Sequence, residues 1–307
     1  MKYLTHTAFA AVALAVGWAA PAAAIPYANA VNAVSGIAIT GTSGSILPLV
    51  TGTATQGTTS AQYGGLVSGF NSIGVVGGVN DVPQATVGLG PFPAENNFSN
   101  RAGRLGGMIG SRADGRITAG VAGTVNAQTV AESYGNSIGS AQGKNTASIN
   151  FTATLSDPGM IQVAFNLHAF MQASTAPLAG ETANATIKND ILITDALGHL
   201  VFEFTPNGNS AGNVFGGTVI ADPFNANGQV NSSIGVPAIA TFNNTGSFAA
   251  ISSLLAAGVY NIAVVSSSQT SIQPGVDVTE PSSIALFSLG LLLLGMLVHN
   301  RPVSERR

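Results

Sequence analysis

Only 7% of this 307-residue chain is charged and 38 residues are glycine, whereas an ordinary soluble domain is about a quarter charged. With no cysteine, disulfide staples and thiolate chemistry are excluded, and a core must hold through apolar burial and backbone ladders. Residues 25–280 hold six Lys/Arg against twelve Asp/Glu, a net charge of −6. Without a basic patch to engage phosphates, nucleic acid is not an expected partner. Low charge with abundant Gly, Ala, Ser, Thr and Asn fits an exported β-protein or a low-complexity surface protein, not disorder driven by charge.

Residues 1–24 have the order of parts of a secretory signal. Lys2 gives a positive start, residues 8–20 are apolar apart from Gly17, and Ala22, Ala23 and Ala24 form a small-residue cleavage site read at Ala22 and Ala24. Ala28-Asn29-Ala30 offers a second cut. The expectation is a signal peptide over 1–24, signal peptidase as a processing partner, and an exported body.

Residues 25–126 are rich in Gly, Thr, Ser and Asn, and glycine recurs too often for long helices. Short runs such as Gly36-Ile37-Ala38-Ile39-Thr40 predict brief strands and loops, with no fixed repeat period. Arg101, Arg104, Arg112 and Arg116 cluster around Asp114-Gly115, which predicts a solvated loop or strand edge ahead of an anion site.

A more regular region begins near Val130-Ala131-Glu132-Ser133, and a β-sandwich body is expected over 127–275. Ile149, Phe151, Ala153 and Leu155 alternate with polar residues, as do Ile161, Val163, Phe165 and Leu167, which is the two-residue period of half-buried strands. Ser156-Asp157-Pro158-Gly159 between them supplies turn chemistry, so the segment predicts a hairpin. Ile187, Ile191 and Ile193 share one parity, with Asn189 as the exception, ahead of the turn Asp195-Ala196-Leu197-Gly198 and then Leu200, Phe202 and Phe204. Asn227-Gly228 marks another turn, and Tyr260, Ile262 and Val264 predict a last strand. Between them, Leu254 and Leu255 offer a helical turn. The fold class expected is all-β, an antiparallel β-sandwich of jelly-roll type, flanked by a signal helix and a C-terminal hydrophobic helix.

Chemistry is sparse in the body. His168 and His199 read as surface or hydrogen-bonded residues ahead of ligands, and no ligand spacing joins them to Asp195 or Glu203. G-x-S-x-G, P-loop and EF-hand patterns are absent. No catalytic residue, cofactor or metal is expected, and the chain does not read as an enzyme. Twelve scattered acids leave a hydrolase with two facing carboxylates open. A carbohydrate-binding module is the other alternative. Its usual aromatic platforms are scarce, because Trp18 lies in the signal segment and only Tyr63, Tyr134 and Tyr260 stand well inside the body.

Residues 278–307 carry the most specific pattern. Thr279, Glu280 and Pro281 precede an uncharged run over 284–298, and Arg301, Arg306 and Arg307 close the chain. Fifteen residues make about 22 Å of helix, short against a hydrocarbon core of roughly 30 Å. Flanking Ser282, Ser283, His299 and Asn300 extend the run to a transient span. The arginines stay cytoplasmic by the positive-inside rule, which puts the body outside, in agreement with the N-terminal signal.

Glu280-Pro281-Ser282-Ser283, the apolar run and the arginine tail together resemble the PEP-CTERM sorting domain of Gram-negative bacteria. Thr279 stands where the family has its first proline. The body segments Val130-Ala131-Glu132-Ser133 and Leu255-Ala256-Ala257-Gly258-Val259-Tyr260 also look like bodies found in that family. The resemblance implies recognition of Glu280 and Pro281 by exosortase, a membrane cysteine protease, followed by cleavage nearby and loss of the hydrophobic helix. It further implies a cell-surface or extracellular protein, transiently membrane-anchored, associated with biofilm and exopolysaccharide.

Overall fold

The computed structural model describes residues 26–42, 48–63, 66–75, 79–80, 85–88, 108–119, 124–135, 139–175, 180–208, 213–233 and 239–273. Both predicted terminal segments, with Ala22, Ala24, Thr279, Glu280, Pro281, Arg301, Arg306 and Arg307, lie outside the described residues, as do Arg101 and Arg104. Among the described residues all regular structure is β, in antiparallel sheets.

The first sheet runs in the order β13 (Gly217–Ala221), β15 (Ile239–Ser252), β9 (Ile161–Ser174), β1 (Tyr27–Gly41), β7 (Val125–Tyr134), β6 (Met108–Ala119) and β4 (Val79–Asn80), with β5 (Ala85–Gly88) also on β6. The second runs β12 (Val214–Phe215), β11 (Leu200–Phe204), β10 (Thr182–Asp195), β16 (Gly258–Gln273), β8 (Ser140–Leu155), β2 (Leu49–Tyr63) and β3 (Leu66–Val75), with β14 (Gln229–Ser232) on β10. Apolar side chains from both sheets share one core, in which Ile149, Phe151 and Leu155 of β8 meet residues such as Ile161, Val163 and Phe165 of β9. Phe165 also stacks on Phe248 at 5.3 Å between ring centroids.

Two local expectations change here. The predicted hairpin across Ser156–Gly159 is instead a crossing between sheets: β9 pairs with β1 and β15, and β8 pairs with β16 and β2. Alternation tells which residues share a face but not which strand lies alongside. Here the two apolar faces look at each other across the core. The hairpin on the turn after Asp195 does form, with Ile191 opposite Phe204 and Ile193 opposite Phe202. The helical turn at Leu254 and Leu255 is absent. Leu255 is buried and bridges Gly159 in an extended segment, while Leu254 points to solvent.

The described residues within 25–126 supply strands to both sheets, two of them longer than the brief strands expected. β1 lies between β7 and β9, and β2 lies between β8 and β3. Each spans 15 residues. A bulge explains why the inward pattern of β1 was hard to see. Gly36 sits at φ 62°, a left-handed angle that costs glycine little. The register shifts there, so inward residues change from even (Ala28, Ala30, Val34) to odd (Ile37, Ile39).

The interior is graded. Toward β6 and β2 the large side chains give way to small and hydroxylated ones. Thr129 meets Ser268, and Ser133 meets Thr270, each at 2.8 Å between sheets. Asn32 of β1 donates to Asn189 Oδ1 of β10 at 3.0 Å, which explains why asparagine stands on the isoleucine face of that strand. Buried polar groups with such partners avoid the desolvation penalty of unmet donors and acceptors.

Candidate functional site

Three groupings of polar side chains emerge from this frame. One is buried, on the side of the first sheet that faces away from the second. Arg112 of β6 stands directly opposite Glu132 of β7, with Asn29 of β1 next in the row. Arg112 Nε donates to Glu132 Oε2 at 3.1 Å, and its Nη1 donates to Asp114 Oδ2 at 3.2 Å. The Tyr27 hydroxyl donates to Glu132 Oε1 at 2.9 Å, and Asn29 Nδ2 donates to that hydroxyl at 3.2 Å. Burial first, then the adjoining Glu132 carboxylate, push the Tyr27 phenol well above its ordinary pKa and keep it a donor.

Arg112 is 0% exposed, so the solvated loop or strand edge expected for it is corrected. The Arg-Ala-Asp-Gly run lies within a strand, where its alternate residues Ser111, Ala113 and Gly115 face the second sheet. Arg116, two residues on, does reach solvent and donates to Gln128. Asp114 and Glu132 are two carboxylates brought together, but both are buried and engaged by one guanidinium. That arrangement suits a structural cluster more than a hydrolytic cleft, which needs room for water and substrate.

The two histidines are far less enclosed. His168 lies within β9, and its Nε2 is 3.1 Å from Asn243 Oδ1. His199 Nδ1 lies 3.0 Å from Asp195 Oδ2, and Asp195 Oδ1 accepts from the backbone N–H groups of Leu197 and His199. No group of three metal-ligating side chains is found among the described residues. These hydrogen bonds, led by the His199 N–H, hold the Asp195 carboxyl below the usual carboxylate range. A lowered folded-state pKa stabilises the fold above the unfolded carboxyl's pKa, and that contribution is lost as pH falls through the lowered value. Asp195→Ala is therefore expected to lower the urea midpoint at neutral pH, with the gap from wild type closing in acid. A gap independent of pH would contradict this role.

The third grouping is the outward face of the second sheet, where register aligns polar residues in rows across strands. One row is Asn231, Asn184, Ser271, Gln142 and Ser60; the next is Gln229, Thr186, Gln269, Lys144 and Thr58. A third is Lys188, Ser267, Thr146 and Gln56. All fourteen are Ser, Thr, Asn, Gln or Lys. Gln229 Nε2 donates to Asn231 Oδ1 at 2.6 Å, and Asn184 Nδ2 to Ser271 Oγ at 3.4 Å. A shallow depression of about 330 Å³ opens among Asn184, Lys188, Gln229 and Gln269. On the same sheet, at the β11–β12 edge next to β10, a depression of about 340 Å³ is lined by Glu203, Thr205, Asn213, Val214 and Phe215.

Of the tyrosines weighed as sugar platforms, Tyr134 and Tyr260 are buried, and Tyr260 donates to Ala256 O at 2.9 Å. The side chain of Tyr63 lies outside the described residues. Phe215, 56% exposed, was missed because its two-residue strand carries no periodic signal. The face with Lys144 and Lys188 was missed because rows across strands become visible only once register is known. No family model, no curated protein and no solved structure matches the chain.

Proposed function

We propose that this is a non-enzymatic surface or matrix protein, exported by its N-terminal signal and sorted by exosortase through Glu280 and Pro281. The body is read as a β-sandwich of jelly-roll type between a signal helix and a C-terminal membrane helix. Cleavage near Pro281 releases it from the inner membrane to the cell surface or to an extracellular layer of biofilm exopolysaccharide. The pattern over 278–307 carries this reading: a Glu-Pro motif, a span too short for a comfortable permanent anchor, and arginines behind it. The body is compatible with it, having a wide polar face on its second sheet.

Processing is testable at the motif. In cells with active exosortase, Glu280→Ala combined with Pro281→Ala is expected to keep the tail and leave the protein in the inner-membrane fraction. Wild-type release of that variant would remove the motif from the account. A carbohydrate-binding module is the second reading, favoured by the exposed Phe215 ring beside Glu203, Thr205 and Asn213. An apolar ring face with polar neighbours is the arrangement that holds a sugar ring.

A further inference from the structure

We propose that the outward face of the second sheet docks a linear polysaccharide bearing carboxylate groups, gripped by Lys144, Lys188 and the amide and hydroxyl rows around them. This rests on the matrix reading above and names the chemistry of the partner.

Charge is the first argument. Lys144 and Lys188 are the two lysines of residues 25–280, and both are exposed on this one face. Neither forms an ion pair among the described residues, where the three pairs involve Arg112 and His199. The body as a whole is negative, and the three rows that hold both lysines contain no acid, so they mark the part of this face that an anionic polymer can approach; Glu203 faces outward on β11, beyond them. Asp190 lies at the margin, one row beyond Lys188, and accepts a hydrogen bond from Thr205 Oγ1 at 3.2 Å.

Geometry is the second. Lys188 is opposite Ser267, Ser267 opposite Thr146, and Lys144 is two residues from Thr146 on the same strand. Two strand spacings and two residues of rise put the lysine Cα atoms about 12 Å apart. The surface between is occupied by Ser267, Thr146 and Gln269, which can donate to and accept from sugar hydroxyls. An extended polymer with periodic carboxylates can meet both ammonium groups and exchange hydrogen bonds along the way.

Other polyanions fit less well. Duplex nucleic acid presents a charge about every 1.7 Å of axis and is held by many cations, not two. Anionic membranes recruit clusters of roughly 4–8 basic residues or an inserted apolar face, and the three rows hold no apolar side chain. Without an aromatic platform each contact is weak, since exposed ion pairs contribute little individually. Attachment then grows with the number of copies along a polymer.

The test is affinity electrophoresis of the full-length chain in detergent, through gels containing polygalacturonate, its methyl ester or dextran. Polygalacturonate is expected to retard the chain, with binding lost as salt rises, while the methyl ester and dextran retard it little. The variant K144Q/K188Q should bind polygalacturonate roughly tenfold more weakly while melting at the wild-type temperature. Retention of wild-type binding by that variant would overturn the proposal. So would equal retardation by the methyl ester, or tighter binding to duplex DNA. Because tail removal is read separately in cells, loss of this proposal leaves the sorting account standing, and the reverse also holds.

Discussion

Replacing Arg112 with alanine is expected to cost about 3–5 kcal/mol of folding stability. The guanidinium is fully buried and is the counter-charge of two buried carboxylates, Asp114 and Glu132. Removing it takes that charge away from both acids at a buried site, so less of their desolvation is offset. The substitution also deletes side-chain volume on a packed face. A buried ion pair can often be exchanged for apolar groups at small cost. The triple variant Arg112→Met, Asp114→Ala, Glu132→Leu should therefore recover part of the loss, the remainder being the buried Tyr27 hydroxyl that it leaves without its Glu132 acceptor. Urea denaturation of the single and triple variants checks both statements, and an Arg112→Ala midpoint close to wild type would mean that the cluster is not energetically coupled as its geometry implies.

Gly143→Val is expected to be comparably severe, at about 3 kcal/mol or more, because overpacking a closed interface forces backbone to move. A Cβ on Gly143 of β8 would sit 2.6 Å from the backbone oxygen of Arg112 and 3.2 Å from that of Glu132. Both oxygens belong to the opposite sheet, so no side-chain rotation relieves the clash. Gly115→Ala makes a useful comparison, since its Cβ would meet the side chain of Asn145, not a backbone. Its cost should be smaller. Equal tolerance of valine at 143 would show that the two sheets are farther apart at this point than described.

Much of the body was legible because its large apolar residues alternate with polar ones. Ile149 to Leu155, Ile161 to Leu167, the Ile187, Ile191 and Ile193 set, and Tyr260 to Val264 all place on the face that their parity assigns. Pairing was not legible, because a period of two fixes a side and says nothing about a neighbour. For that reason the sequence around Ser156–Gly159 predicts a hairpin where the chain crosses between sheets. The first hundred residues were harder still. β2 turns Thr53, Thr55, Gly57, Thr59 and Ala61 inward, and such small residues give little hydropathy contrast with the polar residues between them. They nevertheless suit an interface where the sheets approach as closely as they do at Gly143. Arg112 was misplaced because a charge beside Asp-Gly carries the ordinary signature of a solvated turn, and only the partner strand supplies Glu132. The polar face of the second sheet had a partial signal, since Asn150, Thr152 and their like fell on the outward parity, but its lysines are 44 positions apart in sequence and adjoin only through β16.

Delivery of the body by a removable tail is the proposal on which the functional reading rests. Intact mass of the protein recovered from cells with and without active exosortase tests it most directly. The expected product is a chain that begins at Ile25 and, with exosortase, lacks the hydrophobic run and arginine tail beyond the Glu280-Pro281 motif. A mature chain still ending at Arg307 in cells with active exosortase would contradict it.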